Sequence, residues 1–224
     1  MSGSPRWPRA ADPTRSSPTS AAGYGKSPVS GLDPCHRVGM AVSASATVVL
    51  VEGASDKAAL ETLARRRGRD LSAEGAAVVA MGGATNIGLH LRRLRSGQRV
   101  AGLCDAGEES DFRRELELAG YGPVLDRGDL ELLGFFVCEE DLEDELIRAL
   151  GIDAVERVIE SQGELASLRR LQRQPAHRGR PAVSHLRRFM GSRSGRKLRY
   201  ASLLVEALDL DWVPRPLTGV LDFV

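Results

Sequence analysis

The segment Thr47-Val48-Val49-Leu50-Val51 is a continuous apolar, β-branched run that stops at Glu52-Gly53. Such a run, with no polar alternation, predicts a strand buried on both faces in a parallel sheet covered by helices. The following sequence repeats the theme. Ala59, Leu60, Leu63 and Ala64 share one helical face, with arginines at 65–67 where cations suit the helix C-terminus. Residues 76–81 form a second strand, followed by Gly82-Gly83 and a helix around 87–94. Residues 100–104 form a third strand ending at Asp105, with a helix over about 110–119. Phe135–Cys138 is a fourth strand ending at an acidic cluster, and 141–150 reads as a helix. The alternation predicts an α/β, Rossmann-like fold: a mostly parallel four-stranded sheet flanked by helices, with right-handed connections.

Outside this core the pattern weakens. Residues 1–44 are rich in Pro, Ser, Gly and Ala without periodicity and are expected to be disordered. Met40 lies just ahead of the first strand and is a candidate translation start. Detection of an N-terminal peptide from 1–39 in the native protein would exclude it. Gly25-Lys26-Ser27 imitates the end of a phosphate-binding loop, but Ser20 stands where the first glycine belongs and no strand precedes it. Residues 151–212 look helical in amphipathic pieces; Leu168, Leu171, Leu203, Leu204, Ala207 and Leu208 are placed to pack back on the core. Residues 175–181 read as a loop rich in Arg and Gly, and the last dozen residues carry no functional signal. The expected organisation is a tail (1–44), an α/β domain (45–150) and a basic helical extension (151–224) packed on that domain.

Cys35, Cys104 and Cys138 form no CxxC pair, which argues against a zinc knuckle or a disulfide scaffold and fits a reducing cytoplasm. No apolar run approaches the roughly 18 residues that span a bilayer. The net charge of +1 hides a strong asymmetry. Between Asp105 and Glu145 fifteen acids face three arginines, whereas 165–200 holds eleven basic residues and no acid. An acidic block followed by a basic one suggests a metal site beside a polyanion-binding surface.

Ligands of parallel sheets bind at the carboxyl ends of the strands. Three strand ends carry acids here: Glu52, Asp105 and the group Glu139-Glu140-Asp141. Carboxylates converging on one crevice suit Mg²⁺ or Mn²⁺, which neutralise phosphate charge in phosphoryl transfer. Asp56, four residues after Glu52, is placed to face the same crevice from a first helical turn, and the small residues 53–55 leave room there for an ion or a phosphate. Each acid also has a plainer use. A lone acid after a strand is more often a solvated helix cap, as Asp141 is placed to be, and the charge run 143–145 is ordinarily a solvated face. The convergence of several acids favours the metal.

These residues resemble the Toprim domain shared by topoisomerases, bacterial primases, recombination mediators and certain nucleases. Val51-Glu52-Gly53 matches that family's first motif; Asp105-Ala106-Gly107 matches its Asp-x-Asp motif only in part, Gly107 replacing the second acid. The branch most similar is that of the overcoming-lysogenisation-defect (OLD) nucleases. The carrying residues are Glu52-Gly53-Ala54-Ser55-Asp56, Asp141-Leu142-Glu143 and the late Gly195-Arg196-Lys197. The resemblance covers roughly 46–208. It implies a nuclease with one or two Mg²⁺ or Mn²⁺ ions, held by Glu52, Asp56, Asp105, Asp141 and Glu143. Glu108 or Glu109 would supply the missing charge, and Glu109 is taken into the expected metal set. Glu52, Asp105 and Lys197 would be the catalytic groups. Lys197 would stabilise charge at the scissile phosphate, although a solvated cation near a helix N-terminus reads as well. An ATPase domain normally precedes this domain in OLD proteins; none is recognisable here, so the chain would work alone or with a separately encoded ATPase.

In the basic stretch Arg169, Arg170, Arg173, Arg187, Arg188, Arg193, Arg196 and Arg199 are the expected nucleic-acid contacts, made to phosphates without sequence preference. The plainer reading is a solvated surface that balances the acidic half. DNA is the favoured substrate. A ribonuclease acting on structured RNA, or a non-catalytic nucleic-acid-binding module whose metal site has decayed, are the alternatives.

Overall fold

The computed structural model describes residues 47–224, so the expectations for 1–44, for the Gly25-Lys26-Ser27 segment and for Met40 lie outside the described residues. Four strands, β1 (Thr47–Val51), β2 (Ala76–Ala80), β3 (Arg99–Asp105) and β4 (Phe135–Cys138), form one all-parallel sheet in the order β2-β1-β3-β4. Helices α1 (Ala54–Arg66), α2 (Ile87–Leu91), α3 (Glu109–Leu118) and α4 (Arg127–Leu132) connect the strands. After β4 come α5 (Leu142–Leu150), α6 (Ile152–Ser161), α7 (Leu165–Gln172), α8 (Ala182–Met190), α9 (Arg196–Ala207) and α10 (Arg215–Phe223). The expected α/β class and parallel sheet are therefore the observed ones.

Strand alternation divides the core into two layers. Val49, Val51, Ala101, Leu103, Phe136 and Cys138 face one side, with residues of α1, α5 and the later helices. Leu50, Val100, Cys104 and Phe135 face the other, with α2, α3 and α4. Successive strand residues point to opposite faces, so both layers are apolar only because the strands are apolar throughout. The first layer draws Leu60 and Leu63 from α1, Leu168 from α7, Tyr200 and Leu204 from α9, and Leu217 from α10. One continuous core thus joins the helical C-terminal region to the sheet. Gly102 allows the closest approach across β3: a methyl there would meet the Phe135 ring at 2.6 Å and the Leu50 carbonyl at 2.9 Å.

Two helices are absent from the sequence pattern. α4 is only six residues long and is nucleated by a capping box between Asp126 and Asp129. α10 begins at Arg215-Pro216, where proline is tolerated because a first-turn amide has no partner to lose. The expected helix around 87–94 is shorter, ending at Leu91. Among the described residues no helix is long and apolar enough to cross a membrane.

Candidate metal centre

The strand order makes β1 and β3 neighbours at the point where the sheet stops growing one way and starts growing the other. Ligand crevices of open parallel sheets lie there, outside the carboxyl ends. Glu52 directly follows β1 and Asp105 ends β3, with Val51 in register with Leu103. The Glu52 backbone is fixed from the β2 side, its carbonyl accepting from Gly82 N at 3.0 Å and Gly83 N at 3.2 Å. Gly83 does this at φ 129°, a conformation that favours glycine. A tight 3₁₀ turn, Ala106–Glu108, follows Asp105. It brings Glu108 back, so that one carboxylate oxygen each from Glu52, Asp105 and Glu108 lies within 4.8 Å of the others.

Such a group resists ionisation. Burial, then the charges of Asp56, Asp141, Glu52 and Glu108, push the Asp105 carboxyl up to about 8. Burial and Glu52 push Glu108 up as well. Glu108 Oε2 is buried without a hydrogen-bond partner among the described residues. A divalent cation would relieve both conditions, since it lets neighbouring carboxylates ionise together and takes the orphaned oxygen as a ligand. The all-oxygen donor set suits Mg²⁺ or Mn²⁺ rather than a softer ion.

The flanks of the crevice are built from α1, α5 and α9. Asp56 is buried in the first turn of α1, where its Oδ2 accepts from Gly53 N at 2.8 Å; burial raises its pKa. Glu143 is buried in the first turn of α5. Its Oε2 lies 3.0 Å from Lys197 Nζ, while its Oε1 is buried without a partner among the described residues. Burial pushes Glu143 up against the opposing pull of Lys197. Lys197 stands in the first turn of α9, half exposed. Burial would lower its pKa, but Glu143, Asp56 and Asp105 together raise it. The ammonium is thus held charged beside the acids.

The other acids of 139–145 have partners of their own. Asp141 caps α5, its Oδ1 accepting from Asp144 N at 2.8 Å and its Oδ2 from Arg187 Nε at 3.0 Å. Arg148 gathers Glu139, Asp144 and Glu145 within 3.0 Å. Glu109 also turns away: it pairs with Arg127 at 2.8 Å and Arg113 at 3.6 Å and is not one of the three converging acids. Sequence alone could not separate Glu108 from Glu109. Adjacent residues at a helix start point about 100° apart, and only the turn after β3 decides which one faces the crevice. A Cβ at Gly107 would meet nothing within 4 Å, so no steric conflict requires glycine where the Toprim pattern carries an acid.

The expected nucleic-acid contacts separate in the same way. Arg169 pairs with Glu156, Arg187 with Asp141, and Arg196 and Arg199 with Glu164. Arg196 is buried, its guanidinium 4.1 Å over the Phe189 ring. Arg170, Arg173, Arg188 and Arg193 form no ion pair among the described residues.

Comparison with known proteins agrees with this fold. Residues 45–101 match the sequence profile of the overcoming lysogenization defect protein-like TOPRIM domain, a span that includes Glu52 and Asp56 and ends before Asp105. A search of curated proteins gives no match. Among solved structures, the C-terminal region of the Xanthomonas campestris pv. campestris OLD protein superposes with a TM-score of 0.62 at 23% identity, over 80% of this chain and 91% of that one. The C-terminal region of the Burkholderia pseudomallei OLD protein gives 0.58 at 22% identity, over 80% and 96%. At these identities the superpositions establish the fold, and the profile match adds the motif on β1 and α1. Residues 45–101 thus resemble the Toprim domain of OLD-like proteins, and the fold of the described residues is similar to that of the OLD C-terminal regions.

Proposed function

We propose that this protein is a metal-dependent nuclease that hydrolyses phosphodiester bonds, with DNA as its substrate. The observation that carries the reading is the convergence of Glu52, Asp105 and Glu108 at the β1/β3 switch point. The OLD-like profile match over the first motif supports it. Glu52, Asp105 and Glu108 would hold Mg²⁺ or Mn²⁺. Asp56 and Glu143 border the site, and Asp141 contributes through the Arg187 pair and its field. A bound divalent ion supplies Lewis-acid polarisation of the phosphate and lowers the pKa of a coordinated water.

The chain's own groups do the rest. Lys197 presents a cation beside the crevice, where charge on a phosphoryl oxygen would grow. Glu143 fixes that ammonium by its 3.0 Å contact. Gly82 and Gly83 hold the Glu52 backbone, and the free second oxygen of Glu143 is available as an acceptor.

The test is incubation of supercoiled DNA, linear DNA and structured RNA with Mg²⁺, Mn²⁺ or EDTA. We expect cutting of DNA that EDTA abolishes. Loss of an outer-shell partner lowers metal affinity or activity about 10–100-fold, so Glu52→Gln and Asp105→Asn should lose at least that much. Cutting of RNA but not DNA would change the substrate. Salt-sensitive binding with no metal-dependent cutting of either would leave a binding module.

A further inference from the structure

Arg170, Arg188 and Arg193 come from three different places: α7, α8 and the turn between α8 and α9. All three line one cavity of about 300 Å³. They make no ion pair and no side-chain hydrogen bond among the described residues. The back of the cavity is Arg196, locked by Glu164 at 2.8 Å, Ser192 Oγ at 2.7 Å and the Phe189 carbonyl at 3.1 Å. No carboxylate of the described residues lines the cavity. His177 stands in its wall, and its buried Nδ1 has no partner among the described residues. Burial, then the cations Arg180 and Arg188 and the neighbouring His185, lower the His177 pKa, as expected where positive charge is left uncompensated.

What sets these three apart from Arg173, Arg178 and Arg180 is that they converge on one cavity, which those equally exposed arginines do not line. The geometry points to a phosphate-binding pocket at Arg170, Arg188 and Arg193, taking the terminal phosphate of a nucleic-acid strand. Guanidinium forks match phosphate oxygens in pairs. A terminal phosphate carries roughly −1.5 to −2 charge and three free oxygens, which suits three unneutralised arginines better than the single charge of an internal diester. The volume is at the lower end of small-ligand sites, about 300–1,000 Å³, and fits a strand end better than a groove that follows a backbone. Arg196 and Lys197 are successive residues of α9, about 100° apart around the helix. Arg196 lines the pocket and Lys197 meets Glu143 beside the acids, so the N-terminus of α9 borders both. Nucleic acid as the carrier of the phosphate rests on the nuclease reading; the pocket itself does not. A free nucleotide presents the same chemistry.

The experiment measures binding of the full chain in EDTA to fluorescent DNA of one sequence carrying a 5′-phosphate, a 3′-phosphate or neither, with pyrophosphate and ATP as competitors. EDTA keeps the readout independent of cutting, so failure of the pocket and failure of the nuclease reading are separate results. We expect one phosphorylated form to bind about tenfold tighter than unphosphorylated DNA, the worth of one charge-assisted contact. Arg170→Ala, Arg188→Ala and Arg193→Ala should each erase that preference. Arg157→Ala, an exposed arginine on α6, should keep it. All four side chains are exposed, so an unchanged melting temperature is the folding check. Arginine-dependent binding of pyrophosphate or ATP, with no preference among DNA ends, would keep the phosphate pocket and overturn the strand end as its occupant. Binding of every probe unchanged in all three variants would overturn the pocket.

Discussion

Asp105 shows how a single residue reports on the centre. Its carboxyl rises from the usual 3.8 to about 8 in the fold, so the metal-free folded chain binds that proton more tightly than the unfolded chain does. Stability from this group is present at low pH and lost as pH climbs between those two values. Asp56, Glu108 and Glu143 are shifted in the same direction. In EDTA the melting temperature should fall as pH rises from about 4 to about 8, and Asp105→Asn should flatten the fall. Equal slopes for the two proteins would show that Asp105 is not under that strain. Gly107→Asp tests the gap in the Asp-x-Asp motif. With open space around its Cβ the substitution should fold and tighten Mn²⁺ binding, read by calorimetry; weaker binding would mean that Glu108 already completes the set. The positions of Glu52 and Asp105 at strand ends and of Asp56 in a first helical turn were legible in the sequence, because strand ends and helix starts are local features. The choice of Glu108 over Glu109 was not, because it depends on a turn and on Arg127, eighteen residues away.

At the scale of elements, α9 has the heaviest duty. It packs on α1, places Lys197 at the acids and buries Arg196. Glu164, at the start of α7, joins it to the rest by accepting from Arg196, Arg199 and the Tyr200 hydroxyl. Removing one partner of a buried pair leaves an uncompensated charge and costs about 3–5 kcal/mol. Glu164→Ala should lose stability of that order in chemical denaturation and lower activity through Lys197, while Glu156→Ala, which frees only the exposed Arg169, should cost under about 1 kcal/mol. Similar losses for both would show that the α7–α9 junction is not what holds Lys197. The four strands could be read from sequence because each is a short apolar run bounded by glycine or charge. α4 and α10 were hidden, α4 by its length and α10 by a proline that breaks helices everywhere except in the first turn. The division of the basic stretch was hidden for a further reason: nothing local distinguishes Arg169 and Arg196, whose acids lie 13 and 32 residues away, from Arg170 and Arg193.

For the whole molecule, charge is sorted rather than balanced. Three acids converge outside the sheet between β1 and β3, and arginines without an ion pair among the described residues gather among α7, α8 and α9. Binding of DNA should therefore weaken steeply with salt, the slope of log K against log[salt] falling by about 0.9 for each phosphate contact removed. A ligand that binds only the folded state raises its melting temperature, so Mn²⁺ should stabilise the chain in a concentration-dependent way that Glu52→Gln abolishes.

Calorimetric titration of Mn²⁺ into the wild type, Glu108→Gln and Glu109→Gln addresses the metal centre itself. The geometry predicts a saturable site that weakens by about tenfold or more in Glu108→Gln and is unchanged in Glu109→Gln. Unchanged binding in Glu108→Gln, or loss confined to Glu109→Gln, would contradict the centre at Glu52, Asp105 and Glu108.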